Sequence, residues 1–235
     1  MKNLLIYINP KKDFDDIERR VETALVKIQI ENSLLYWKPE DILLVTNFRY
    51  KHSGINSIEV PDNLYCDFDS RTSKIPVIIY LLENKILKDD AWFHDFDCFQ
   101  NNNFEITLKK DLGLTDYGWS QKFNTGSFFF KTTSLDIFKN MWEICQQKKA
   151  NEEPIVWEMY KNNSTNIRER SERLNITYNL GKRYTQITIP MAEKPIKVVH
   201  FHPYWRPDRL ERFKNLFLSE KLTKLLDEKN PRKRT

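Results

Sequence analysis

Two short apolar runs, residues 4–8 (LLIYI) and 42–46 (ILLVT), constrain the fold of this chain more than any other feature. A strand that is apolar at nearly every position is covered on both faces. Between the runs, Ile17, Val21, Leu25 and Ile28 recur at helical spacing. They follow Asp13, Asp15 and Asp16, carboxylates that suit the positive end of a helix dipole. Residues 58–60 read as a third strand, 75–87 as a helix with Pro76 tolerated in its first turn, and 92–96 as a further strand. This alternation predicts an α/β fold, a mixed and mostly parallel sheet flanked by helices.

The stretch with the clearest chemistry is 91–99, AWFHDFDCF. On a strand, period-2 alternation points Asp95 and Asp97 to one side. Two neighbouring carboxylates repel when both are ionised and desolvated, so such a pair shares a proton or holds a cation. Oxygen ligands suit a hard ion such as Mg²⁺ or Mn²⁺. An isolated D-x-D is also common among ordinary solvated loops. Its place at the carboxyl end of a strand is where open α/β sheets bind ligands. A second D-F-D, Asp67 to Asp69, has a poorer strand before it; Asp69, Arg71 and Lys74 read as ligand contacts from a neighbouring strand end.

Farther along, 104–108 alternates like an edge strand and 109–120 reads as a polar loop. Residues 123–130, FNTGSFFF, place Gly126 before an aromatic run, which marks close backbone approach, with polar Asn124 and Thr125 alongside. Leu135, Phe138, Trp142 and Cys145 form a helical core stripe. Asn151-Glu152-Glu153-Pro154 opens another helix, with carboxylates at its favourable end. Residues 162–173 read as polar and exposed, and 197–202 (KVVHFH) as a last strand ending in His200 and His202.

Composition narrows the class. The 235 residues suit one large domain or two small ones, with a real core, since 40% are hydrophobic and the chain holds 15 Phe, 10 Tyr and 6 Trp. Three scattered cysteines with no C-x-x-C pair argue against a disulfide framework or a structural zinc site and for a reducing, cytoplasmic compartment. The apolar start is too short for a signal peptide, and no run is long enough to span a membrane. Of the 38 Lys/Arg and 33 Asp/Glu, ten and five fall in 203–235, which leaves the rest balanced at 28 each. A neutral body weighs against a nucleic-acid partner. The tail, 208–235, divides into Leu210, Phe213, Leu216 and Phe217 on one face and Leu222, Leu225 and Leu226 on another, with Ser219 as N-cap between them. With the basic end 231–234 it is a candidate for peripheral contact with an anionic membrane, against the plainer reading of a solvated helix.

The order of these elements resembles the GT-A-fold glycosyltransferases of the nucleotide-diphospho-sugar transferase superfamily. The features are an αβ half ending in D-x-D, an N-T-G-x-F-F strand, an acidic helix start and a late H-x-H strand. The layout is most similar to small retaining enzymes of the glycogenin/galactosyltransferase kind; the resemblance covers about residues 3–207 and implies a single Rossmann-like domain over 1–207. The resemblance implies that Asp95 and Asp97 bind Mn²⁺ or Mg²⁺ and, through it, the donor diphosphate. It implies that His200, with His202 second, completes the metal shell. Lys74 would lie near the donor, Tyr7 and Asp69 near its nucleobase, and Asn124 and Gly126 beside its sugar. Glu152 and Glu153 would face the reacting carbon. Trp119, Trp157 and Trp205 suit sugar stacking. The partners implied are a nucleotide-sugar donor, a UDP-sugar by preference, and a saccharide or glycoconjugate acceptor.

This chain departs from the family at two points: Glu-Glu stands where Asp-Gln is common, and 203–207 (PYWRP) replaces the usual continuation after the late histidines. Two other functions share part of the signal. A metal-dependent phosphohydrolase also uses paired aspartates, but the haloacid-dehalogenase kind carries them after the first strand. A non-catalytic carbohydrate- or nucleotide-binding module would use the same cleft without turnover.

Overall fold

The computed structural model describes residues 1–12, 25–181, 185–201 and 216–228. Its strands are β1 (Lys2–Tyr7), β2 (Ile42–Thr46), β3 (Lys51–His52), β4 (Ile55–Glu59), β5 (Ala91–His94), β6 (Cys98–Gln100), β7 (Leu112–Asp116), β8 (Phe123–Phe130), β9 (Ser171–Arg173), β10 (Leu180–Gly181) and β11 (Val198–His200). Its helices are α1 (Leu25–Leu34), α2 (Lys74–Glu83), α3 (Leu135–Lys148), α4 (Glu152–Asn162), α5 (Ile167–Arg170), α6 (Thr185–Met191) and α7 (Glu220–Glu228). A mixed sheet runs β3-β4-β2-β1-β5-β8-β7-β9, and a small one runs β10-β11-β6.

Strand β1 sits mid-sheet, parallel to β2 and β5. Its neighbouring leucines show why the run from Leu4 is apolar on both faces. Leu4 packs with Val45, Ile75, Ile78 and Phe93 on the α2–α3 side, while Leu5 packs with Val26, Ile30 and Leu44 under α1. The described half of the first expected helix is therefore present as α1. Ile17, Val21 and the aspartates before them lie outside the described residues.

Three expectations need correction. Residues 104–108 form no strand, yet the alternation was real: Phe104, Ile106 and Leu108 turn inward onto Trp92 and Phe129. The segment covers the sheet with side chains rather than extending it with hydrogen bonds. The expected polar loop 109–120 contains β7, an interior strand between β8 and β9. Its apolar signal is interrupted at Gly113, where a Cβ would stand 2.7 Å from Leu108 Cδ2 and 2.8 Å from Leu174 Cδ1. The expected exposed stretch 162–173 ends in β9, whose Ser-Glu-Arg sequence has no apolar pattern and joins the sheet through backbone pairing with β7 and the Arg173–Asp116 ion pair.

Helix α7 is part of the body. Leu222, Leu225 and Leu226 are buried with Ile28 of α1, Phe99 and Phe201, so that leucine face is covered by protein and cannot lie on a membrane. Ser219 caps the helix as expected, its Oγ accepting from Leu222 N–H at 3.2 Å, and Asn101 holds the entry through Phe217 O and Ser219 N–H. Leu210, Phe213 and the basic end lie outside the described residues, and no described helix is long and apolar enough to cross a membrane. Leu222→Ala is expected to destabilise by about 2–5 kcal/mol in urea unfolding, a loss that a solvated or membrane-facing leucine would not produce.

Candidate functional site

The two aspartates converge by a turn, not by the pleat. Strand β5 stops at His94, residues 95–97 turn, and Cys98 N–H closes the turn on Asp95 O at 3.0 Å before β6 begins. The turn is tied to two other strands. Asp95 N–H donates to Gly126 O (2.8 Å) and Phe201 N–H donates to Asp97 O (2.9 Å). Beneath it, buried His94 lies 4.0 Å from the Trp92 ring, between Asn3 Oδ1 (2.7 Å) and Gln29 Nε2 (2.9 Å). Burial pulls His94 down to about 3, so the support is a neutral imidazole at ordinary pH.

A buried ion pair forms the floor. Lys74, at the start of α2, is 5% exposed, and its Nζ lies 2.8 Å from Glu152 Oε1 and 3.4 Å from Asp95 Oδ1. It also donates to Thr125 O at 3.1 Å. Burial by itself opposes the ammonium, but Asp95 and Glu152 outweigh it and hold Lys74 above its usual range. Burial likewise raises Glu152, and Lys74 reverses that to leave its carboxyl below the usual range. Glu152 accepts further from Thr125 Oγ1 (2.8 Å) and Thr72 Oγ1 (2.9 Å). Asp95 is pushed up, by desolvation first, against the pull of Lys74.

Asp97 faces His200, with Oδ1 3.2 Å from His200 Nε2. Asn179 decides what that contact means. Its Nδ2 donates to the carbonyls of Asn124 and Ser127, so its Oδ1 is the atom 3.0 Å from His200 Nδ1. Nδ1 thus faces an acceptor, and Nε2 is the ring nitrogen turned to the Asp97 carboxylate. A carboxylate oxygen and an imidazole nitrogen set face to face, the ring oriented by a second residue, are ligand atoms that a divalent cation takes. The residues thus fit a metal. Asp97, Cys98 and His200 bring one ligand atom each within 4.8 Å of one another. Asp95, also expected in that set, has its Oδ1 3.4 Å from Lys74 Nζ and lines both neighbouring clefts; His202 lies outside the described residues.

Gly126 has a specific reason to be glycine. A Cβ there would stand 2.2 Å from His200 Cε1 and 2.9 Å from its Nδ1. The close approach read from the sequence is to this imidazole.

Two clefts meet across Arg71, Lys74, Asp95 and Asp97. One is walled by Tyr7 and Phe96, whose rings meet edge-on at 6.2 Å. The other is lined by Tyr117, Asn124, Gly126, Glu152, Glu153 and His200 among others. The two glutamates differ. Glu152 is 2% exposed and saturated by three donors, whereas Glu153 lines the cleft and takes the Tyr117 hydroxyl at 2.6 Å. Asn124 uses its Oδ1 on Gly126 N–H (2.9 Å). Asp69 holds Arg71 through both carboxylate oxygens (3.0 and 2.7 Å), and it is Arg71 that borders the clefts. Trp119 is 45% exposed beside Tyr117, Trp157 packs on Phe123 and Tyr160, and Trp205 lies outside the described residues. Sequence reasoning missed Thr72, Tyr117 and Asn179, because a single polar residue between elements carries no periodic signal.

No protein-family model and no curated protein matches the chain. Solved structures do. A glycosyltransferase involved in glycosylating the major capsid of PBCV-1 matches with TM-score 0.57 at 13% identity, over 92% of this chain and 100% of that one. The galactosyltransferase LgtC, in complex with donor and acceptor sugar analogues, matches with TM-score 0.59 at 14% identity, over 96% and 100%. The fold is that of the GT-A glycosyltransferases. GlyE of Streptococcus pneumoniae TIGR4 matches the same GT-A frame with TM-score 0.59 at 11% identity, over 97% of this chain and 63% of its own.

Gly126→Ala is expected to drive the His200 ring from Asn179, shifting the His200 side-chain NMR signals and costing roughly 1–3 kcal/mol in chemical unfolding. Glu152→Gln removes one partner of the buried pair and should cost about 3–5 kcal/mol. The depressed Glu152 carboxyl contributes stability that is fully present above its unfolded pKa of about 4.3 and lost as pH falls through the lower folded value. Thermal melts from neutral to acid pH should therefore fall more steeply for the native chain than for Glu152→Gln.

Proposed function

We propose that this chain is a metal-dependent glycosyltransferase that moves a sugar from a nucleotide-sugar donor, a UDP-sugar, to a hydroxyl of a saccharide or glycoconjugate acceptor. The observation that carries this reading is the pair of clefts sharing one wall of Arg71, Lys74, Asp95 and Asp97. A nucleoside diphosphate sugar has the same order of parts. Its base suits the aromatic chamber at Tyr7, its diphosphate the charged wall, and its sugar the chamber lined by Asn124, Gly126 and the acidic start of α4.

Asp97 and His200, with Asp95 beside them in the charged wall, would hold Mn²⁺ or Mg²⁺. When bound, such an ion neutralises the charge that builds on the departing diphosphate. Lys74 keeps a second positive charge beside Asp95, and its pairing with Glu152 fixes it there before substrate arrives. Arg71, steadied by Asp69, supplies a donor fork at the junction of the clefts. Glu153 is the acid in position to orient the acceptor hydroxyl or to face the reacting carbon, its carboxylate aligned by Tyr117. Glu152 serves by positioning Lys74, Thr125 and Thr72. Trp119 offers an aromatic face beside the acid-lined chamber, as saccharides favour.

Calorimetric titration of UDP and of GDP, with Mn²⁺ and then EDTA, tests the reading. Metal-dependent UDP binding that is lost in Asp97→Ala is the expected result, followed by sugar transfer in a screen of UDP-sugars. Binding with neither transfer nor hydrolysis would make the chain a nucleotide- or carbohydrate-binding module. Absence of nucleotide binding under all conditions would remove the transferase reading.

A further inference from the structure

We propose that Cys98 is a third protein ligand of the cation held by Asp97 and His200, and that its sulfur makes the site favour borderline ions such as Zn²⁺ and Co²⁺ over Mg²⁺. The inference deepens the reading of Asp97 and His200 as metal ligands and rests on it.

The sheet register brings the sulfur to the site. Cys98 of β6 and His200 of β11 are direct antiparallel partners, so their side chains leave the small sheet on the same face. Asp97 precedes Cys98 in the closing turn, and the three ligand atoms come within 4.8 Å of one another. Both flanking groups are held before any ion arrives. Cys98 Sγ points to Gly126 O at 3.0 Å, and His200 is set by Asn179 behind it and by the missing Cβ of Gly126 beside it. Cys98 and His200 are buried, so a bound ion would have a sulfur and a nitrogen as fixed ligands, with Asp97 as the oxygen toward the cleft.

Ligand chemistry decides the preference. Mg²⁺ wants oxygen in near-ideal octahedral geometry, while an S,N,O set suits Zn²⁺ or Co²⁺ with a remaining position open to solvent or a phosphate oxygen. Binding breaks the S–H···O=C contact to Gly126, forms a metal–thiolate bond and releases the thiol proton to water. No electron changes hands.

Cobalt titration of the metal-free full-length protein reads the sulfur directly. The expected spectrum contains a near-ultraviolet thiolate-to-Co²⁺ charge-transfer band. That band should vanish in Cys98→Ser and persist in Cys66→Ser and Cys145→Ser, the other two buried thiols. Zn²⁺ affinity should fall by at least about tenfold in Cys98→Ser, with Mg²⁺ affinity changing far less. Cadmium NMR of the native chain gives a second readout without a variant, its shift reporting sulfur among the ligands. Co²⁺ binding without a thiolate band, or a band that survives Cys98→Ser, overturns the role of Cys98 and leaves the Asp97–His200 site standing. No binding of any divalent ion overturns both.

Discussion

The buried ammonium of Lys74 is the interaction on which the rest of the site depends. It joins the start of α2 to the end of β5, the middle of β8 and the start of α4 through Asp95, Thr125 O and Glu152. These stretches are far apart in sequence. An ammonium out of water is tolerated only where opposite charge and acceptors surround it, and this environment requires all four elements to be in place. The ion pair therefore specifies the arrangement as much as it stabilises it. Glu152 carries the same constraint from the other side, its two oxygens shared among Lys74, Thr125 and Thr72.

A second constraint, steric rather than electrostatic, shapes the other half of the cleft. The His200 imidazole occupies the space that a side chain on residue 126 would fill. Its ring is oriented by Asn179, whose amide is held by carbonyls of β8. Strand β8 thus contributes through absence at Gly126 and through backbone carbonyls on either side. The β5–β8 pairing places Ser127 opposite His94, which brings Gly126 alongside the aspartate turn.

Much of this was legible in the chain itself. The apolar runs at 4–8 and 42–46 announced strands covered on both faces, and Leu4 and Leu5 do bury into opposite layers. Asp95, Asp97, Glu153, Asn124 and Lys74 were singled out by residue type and place, and all line the adjoining clefts. What sequence periodicity misread were segments whose structure comes from backbone pairing or from packing between distant residues. Strand β9 has no apolar pattern to reveal it, and β7 has its pattern broken at Gly113, where Leu108 and Leu174 close in.

The sequence by itself determined which residues had to be inside, which segments alternate and where the chemically capable side chains lie. Those follow from local periodicity and from the cost of exposing apolar surface or burying charge, both properties of single residues and their near neighbours. Only the tertiary structure decided who meets whom. It turned Asp95 toward Lys74, set Cys98 across from His200, locked Glu152 into the floor while Glu153 faced the cleft, and folded the leucines of α7 onto α1. Each of these depends on a contact between residues remote in sequence, and no local pattern in the chain encodes a partner that distant.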